Sequence, residues 1–399
     1  MTLPLSRRHL LQAAALAAPL TLAGRLYAAP QTGARLLLVF LRGAYDATNV
    51  VVPASSDFYY QARPSLAVPR PNPANPNAAL PLDADFALHP ALRDSIYPLW
   101  RKRQVAFVPF AGIDDLSRSH FETQDSIEMG QSLTGRRDFG SGFMNRLAAS
   151  LTGSTPIAFT DQLPLCFRGG AVIPNMAVNT VARPGVDRRE AGLIATMYKG
   201  DPLAPQVAEG FAVRDEVYDS LAGEMAAASR GAASPKGFEL SARRVARLMN
   251  TRFNLGFIDV GGWDTHVNQG GAQGYLSDRL GELGRGLAAL ADESGPAWNE
   301  TVVVVISEFG RTFRENGDKG TDHGHGTVYW VMGGKVRGGC LAGEGIQLTQ
   351  ASLFQNRDYP VLNEYRAVLG GLFASVYGLQ PAALERVFPG AKPKDLQLL

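Results

Sequence analysis

The stretch TVVVVISEFGRTFRENGDKGTDHGHGT, Thr301 to Thr327, decides how the chain reads. Its opening run, Val302 to Ile306, is unbroken and β-branched. Such a run forms a strand buried on both faces, as in a parallel sheet. Ser307, Glu308 and Arg311 follow at once, then a Gly-rich turn, then Asp322, His323 and His325. Carboxylates and imidazoles crowded at a strand end serve no packing purpose, but they suit metal or anion chemistry.

Other strands lead into similar endings. Arg35 to Leu41 (RLLLVFL) predicts a first strand that runs into Arg42, Gly43 and Asp46. Val105 to Phe110 predicts a second, followed by a helix that Ser119 opens. Leu255 to Val260 predicts a third, which ends in Gly261-Gly262-Trp263-Asp264-Thr265-His266. Between it and Val302, Leu276, Leu280, Leu283, Leu287 and Leu290 fall on one face of an amphipathic helix. That face should cover the sheet between the two strands. Leu240–Met249 and Tyr365–Tyr377 predict further helices. The Pro/Asn-rich residues 61–85 read as a surface excursion, and about 150–235 as an insertion or cap.

Strand, helix, strand is a right-handed crossover, so successive strands run parallel. Ligands of such sheets sit beyond the strands' carboxyl ends. Four predicted ends carry polar groups there: Asp46, Ser119 with His120, Asp264 with His266, and Glu308. One convergent site is the expectation. His323 and His325 instead precede a strand, Val328 to Met332. They reach the same edge only if that strand is antiparallel or if the loop folds back over the sheet.

Each residue also has a plainer role open to it. Of Asp322, His323 and His325, only one or two can face an ion, because side chains alternate along extended chain. Asp264 and His266 alternate in the same way, as ligands or as a cap with an exposed imidazole. Glu308, ending a buried strand, must be paired, hydrated or metal-bound, and Arg311 is the nearest partner in sequence. Asp46 is a ligand beside an anion-binding Arg42 or the start of an Asx-turn. Ser119-His120-Phe121-Glu122 is a capping box, while a serine at a helix start also suits an oxyanion or a nucleophile. His120 then reads as base, ligand or packed imidazole, and His89 as structural. Mixed imidazole and carboxylate ligands suit zinc, manganese or iron better than calcium.

The first 29 residues stand apart. Ser6-Arg7-Arg8-His9-Leu10-Leu11 is a twin-arginine pattern before a short Ala/Leu-rich segment and small residues at Ala28 and Ala29. That predicts export by the twin-arginine translocase to the periplasm, without a stable membrane anchor. Cleavage removes Arg7, Arg8 and Arg25, leaving 36 basic and 37 acidic residues, so nucleic acid is a poor partner. The remaining 30–399 form the folded part. Export of folded protein from a reducing compartment argues that Cys166 and Cys340 stay separate thiols.

The pieces LRGAYDATNVVVP, FALHPAL, SRSHFETQD, GGWDTH, SEFGRT, GTDHGHG and GGKVRGG run from Leu41 to Gly339. Together they resemble the exported family known as domain of unknown function 1501, grouped with the alkaline phosphatase and sulfatase superfamily. The resemblance implies a doubly wound α/β sheet, mostly parallel and sandwiched by helices. It also implies one or two divalent ions, zinc or manganese, and hydrolysis of phosphate or sulfate esters, small or polysaccharide-linked. Ser119 falls where the nucleophile would stand, and Arg42, Arg118 or Arg311 would hold the anion. Asp46, Asp264 with His266, Glu308, and His323 or His325 look like the metal ligands. One departure stands out: Phe309 follows Glu308 where a His would complete the pair. It motivates a second reading, a catalytically degenerate metal- or anion-binding protein of the cell envelope on the same fold.

Overall fold

Arg35–Leu41 (β1) lies at the heart of the molecule because both of its faces are apolar. Leu37, Val39 and Leu41 join one core, and Leu36, Leu38 and Phe40 the other. The computed structural model describes residues 33–134, 137–178, 188–209 and 237–399. The predicted leader, 1–29, lies outside them.

The further strands of the main sheet are Val105–Gly112 (β2), Pro156–Ala158 (β3), Leu255–Val260 (β4), Thr301–Ser307 (β5), Thr327–Met332 (β6), Cys340–Leu341 (β7) and Asn363–Glu364 (β8), while Val51–Val52, Leu80–Pro81 and Ala87–Leu88 form a small antiparallel sheet apart from it. They form one sheet in the order β7-β2-β6-β5-β1-β4-β3, with β8 also paired to β2. Pairing is parallel throughout except at β6, which runs antiparallel to both β2 and β5. The sheet is thus α/β and mostly parallel, as the strand pattern predicts. Leu41 is in register with both Val260 and Ser307, so β1, β4 and β5 end level. The loops after them share one edge. Reversal of β6 returns the chain to that edge and satisfies the topological condition set by His323 and His325.

Helices cover both faces. Phe238–Thr251 (α3) and Tyr275–Ser294 (α4) pack on the face of Leu37 and Val305. The five leucines of α4 are all buried against it. Because β1 lies between β4 and β5, this helix covers the predicted position. On the other face sit Phe143–Ala149 (α2) and Tyr365–Tyr377 (α5). His120–Met129 (α1) follows β2 and starts at Ser119.

Two segments differ from expectation. Part of the predicted insertion belongs to the main sheet, since β3 pairs with β4 and Ile157 and Phe167 are core residues. Three residues are too few for a periodicity to register. The Pro/Asn-rich excursion is exposed only in part; Arg63, Val68 and Leu80 within it are buried. Cys166 and Cys340 are separate free thiols, as expected.

His89 has the structural role predicted for it. Its Nδ1 accepts from Ala91 N at 3.1 Å, so Nε2 carries the proton it shares with Gly271 O at 3.0 Å. Burial lowers its pKa from 6.5 to about 4. The unfolded chain therefore takes up the proton first as pH falls. Stability from this group is intact above about 6.5 and is lost progressively down to about 4. The full loss is roughly 3 kcal/mol. His89→Gln should flatten the urea-unfolding free energy across that window, and an unchanged pH slope would refute the assignment.

Candidate metal centre

At the level edge of β1, β4 and β5, four loops meet. Gly43 makes the closest approach: with φ +115° it is in the left-handed region, and a Cβ there would lie 2.8 Å from Asp264 N. Trp263, buried beneath, ties the turn after β4 by donating to Val260 O at 2.9 Å. Asp264 and His266 then point outward while Thr265 points in, which is the expected alternation. The loop after β5 folds back on itself. Gly310 N donates to His325 O and Gly324 N to Gly310 O, and Arg311 bridges His323.

His120, Asp264 and His323 offer ligand atoms that all lie within 4.8 Å of one another. His266 adjoins them, with Nε2 3.0 Å from both His323 Nε2 and Asp264 Oδ1. Hydrogen bonding anchors Nδ1 of each ring. His120 Nδ1 lies 2.8 Å from Glu308 Oε1. Burial works against the Glu308 charge, but hydrogen bonds from His120 and Gln124 prevail and hold the carboxyl below its usual range. An ionised carboxylate only accepts, so His120 Nδ1 carries the proton. His323 Nδ1 donates to the Arg118 carbonyl at 2.8 Å, and His266 Nδ1 faces Asp322 Oδ1 at 3.3 Å. Hydrogen bonds from Asn316 first, against burial, and then from His266 hold Asp322 below the usual carboxylate range, so it too accepts.

So anchored, the rings of His120 and His323 direct Nε2 at the space beside Asp264, while His266 Nε2 lies against Asp264 Oδ1 and 3.4 Å from Arg311 Nη1. His120 Nε2 is buried without a hydrogen-bond partner and stands 3.6 Å from Asp264 Oδ2. Burial, helped by the nearby His120 and Arg311, keeps His323 below the ordinary imidazole range despite its bond to Arg118 O. Two lone pairs at 3.0 Å repel unless a proton or a cation lies between them. Imidazoles held by carboxylate or carbonyl through the far nitrogen are the usual arrangement of metal-binding histidines. The donor set therefore fits a divalent transition ion, with His120, His323, Asp264 and His266 as the residues that would hold it.

Several predicted ligands lie elsewhere. Asp46 is fully buried, with its carboxylate taken by Arg63 (2.5 and 3.0 Å) and by Gln269 (2.6 Å). Glu308 stands behind His120 and faces four protein donors: Gly43 N, His120, Gln124 and Ser307. Asp322 supports His266 from behind. His325 is buried on the far side, against Phe354 and 3.8 Å from Asp114. His120, placed among the catalytic residues by sequence, joins the ligand cluster instead.

The predicted anion-holding arginines are also committed. Arg42 donates to Asp259, Gln124 and Glu128 at 2.7–2.8 Å. Arg311 donates to the carbonyls of Ala44, Gly43 and Thr321 and grips Asp264 Oδ1. That grip outweighs burial and keeps the Asp264 carboxyl low. Arg118 pairs with Asp358 at 2.9 Å. Ser119 caps α1 through a long 3.5 Å bond from Glu122 N.

Three supporting residues escaped the sequence reading. Gln124 bridges Arg42 and Glu308 at 2.8 Å each, and its position four residues after His120, on the same helix face, was the available signal. Gln269 joins Asp46 to Thr265 and Thr321. Arg63 is buried in a segment whose composition suggested solvent.

The class is thus α/β, with a His/Asp cluster at the carboxyl ends of the central strands. The chain is a member of the family described as Protein of unknown function (DUF1501), whose model matches residues 109–388. A protein of the alkaline phosphatase superfamily from Vibrio parahaemolyticus is similar at 11% identity and TM-score 0.39, covering 87% of this chain and 67% of the other. Ps i-CgsB in complex with k-i-k-neocarrahexaose is similar at 10% identity and TM-score 0.35, covering 88% and 73%. None of the curated proteins matches the sequence.

Removing the carboxylate behind His120 should loosen the ring without deleting a ligand. Glu308→Gln is expected to weaken Zn²⁺ affinity by roughly 10–100-fold, read by competition with a chromophoric chelator. Unchanged affinity would remove His120 from the ligand set. Arg63→Met leaves Asp46 as an uncompensated buried charge and should cost roughly 3–5 kcal/mol in chemical denaturation.

Proposed function

We propose that the protein is an exported, metal-dependent hydrolase of phosphate or sulfate esters. The observation that carries this reading is the buried, unpartnered Nε2 of His120, aimed with His323 at Asp264. Metal-free, such a convergence of lone pairs costs free energy. A divalent cation there would supply Lewis-acid charge against oxygens that become negative in the transition state.

Ser119 is the proposed nucleophile. It directly precedes His120 at the start of the ten-residue helix α1, where the helix field favours negative charge. As a cap its hydroxyl is loosely held, at 3.5 Å from Glu122 N. Hydrolysis then has two halves. The serine hydroxyl displaces the alcohol, which leaves with the proton, and water next releases the anion and restores serine. With Arg42 and Arg311 committed to protein acceptors, the helix start and Arg118, whose Nε is buried without a partner, take the larger part in binding the ester anion.

The substrate is a small anionic ester or one linked to a polysaccharide. The twin-arginine sequence at Arg7 and Arg8 supports passage through that translocase and residence in the periplasm.

A panel of nitrophenyl phosphate, phosphodiester and sulfate esters with Zn²⁺- or Mn²⁺-loaded protein tests the activity. Ser119→Ala should lower kcat roughly 10³-fold or more while leaving metal content unchanged. Full activity in that variant would remove the covalent route. Absence of any turnover by fully loaded protein would favour the degenerate binding protein.

A further inference from the structure

We propose that the centre holds a single ion, and that the buried guanidiniums of Arg63 and Arg311 stand where a second cation would be needed. The inference rests on the metal reading above and specifies its stoichiometry. Two-ion hydrolytic centres hold their cations about 4 Å apart and need enough carboxylate oxygen to neutralise both. At this edge the carboxylates are committed elsewhere.

Asp46 is the clearest case. Arg63 has five N–H donors, and the structure gives each an acceptor. Nη1 reaches Asp46 Oδ2 and Asn49 Oδ1, Nη2 reaches Asp46 Oδ1 and Thr312 O, and Nε reaches Phe313 O. Both side chains are fully buried. Asp46 thus already has its cation, a permanent one that neither exchanges nor titrates near neutral pH.

Arg311 does the same at the other carboxylate. It grips Asp264 Oδ1 while Gly43 O, Ala44 O, Trp263 O and Thr321 O accept from it, and its Nη1 also lies 3.4 Å from His266 Nε2, a long contact that an ion would replace. Asp264 Oδ2 is left facing His120 Nε2. Glu308 spends Oε1 on Gly43, His120 and Gln124, and Oε2 on Ser307. Asp322 Oδ1 serves Asn316 and His266, and Oδ2 of this half-exposed side chain is a single oxygen, too little to hold a second ion by itself. One carboxylate oxygen and the Nε2 atoms of His120, His323 and His266 suffice for one four-coordinate ion. A second ion would have to displace a buried guanidinium from its carboxylate, which is strongly unfavourable.

The test is a count of ions on the full chain, purified after export. The protein is loaded with Zn²⁺ or Mn²⁺, desalted, and analysed by inductively coupled plasma mass spectrometry. One ion per chain is expected, and the Mn²⁺ form should give the six-line electron paramagnetic resonance signal of an isolated ion. Two ions per chain, or a spin-coupled manganese pair, would overturn the single-ion proposal and leave the metal reading standing. Zero ions would sink both. The charge-neutral pair Asp46→Asn/Arg63→Met loosens both ligand-bearing loops and should weaken affinity, but at saturating Zn²⁺ it should still load one ion per chain, whereas His323→Ala should not. Loss of the ion from the double variant, with native circular dichroism, would return Asp46 to the ligand set and overturn the proposal.

Discussion

The buried ion pair of Asp46 and Arg63 organises everything at the functional edge. Its two side chains have no exposure, so each charge is tolerable only because the other is present. The pair reaches into both ligand-bearing loops. Gln269 donates to Asp46, and its own carbonyl oxygen accepts from Thr265 and from Thr321. Thr265 sits between Asp264 and His266, and Thr321 is two residues before His323. Arg63 also holds the carbonyls of Thr312 and Phe313, just past Arg311. Loops that are distant in sequence are thereby fixed by one satisfied polar network, which rigidifies a site as apolar packing cannot.

On that base the imidazoles are held from behind. Glu308, Arg118 O and Asp322 each engage an Nδ1, and each engagement leaves an Nε2 lone pair facing the same space. The protein spends folding free energy to keep these lone pairs together near a carboxylate. Preorganisation of this kind is what a metal centre needs if binding is not to wait for the loops to move. Arg311 is tied in the same way, through the carbonyls of Gly43, Ala44 and Thr321, so its grip on Asp264 is fixed as well.

The strands were legible because their signal is local. RLLLVFL, LGFIDV and TVVVVIS each carry enough apolar residues to mark a buried strand, and the leucines from 276 to 290 carry a helical period. The shared edge followed from handedness, and for His323 to reach it the sequence left two routes open, a reversed β6 or a loop folded back over the sheet. Roles within the edge were not legible. Whether Glu308 binds an ion or a histidine depends on His120, 188 residues earlier, and on Gln124 beside it. Whether Asp46 is a ligand depends on Arg63, whose Pro- and Asn-rich surroundings suggest solvent rather than a core. Carboxylates were found by pattern, but their partners come from other elements and leave no mark on the local sequence.

The same distinction resolves the departure at Phe309. Read along the chain, Glu308 is followed by Phe309 and not by the histidine that the resemblance leads one to expect. In space an imidazole is present: His120, from the start of α1, meets the Glu308 carboxylate that the sequence pattern leaves unaccompanied. Phe309 is packed against the rings that converge here. It stacks on His120 with centroids 5.0 Å apart and an interplanar angle of 28°, and it lies 5.2 Å from His323. An apolar ring at this position excludes water from one side of both imidazoles and lowers the local dielectric, which strengthens the hydrogen bonds that orient them. A histidine at 309 would introduce another titratable nitrogen into that wall. The residue that looks like a gap in the sequence pattern therefore packs behind the imidazoles that the fold brings from elsewhere.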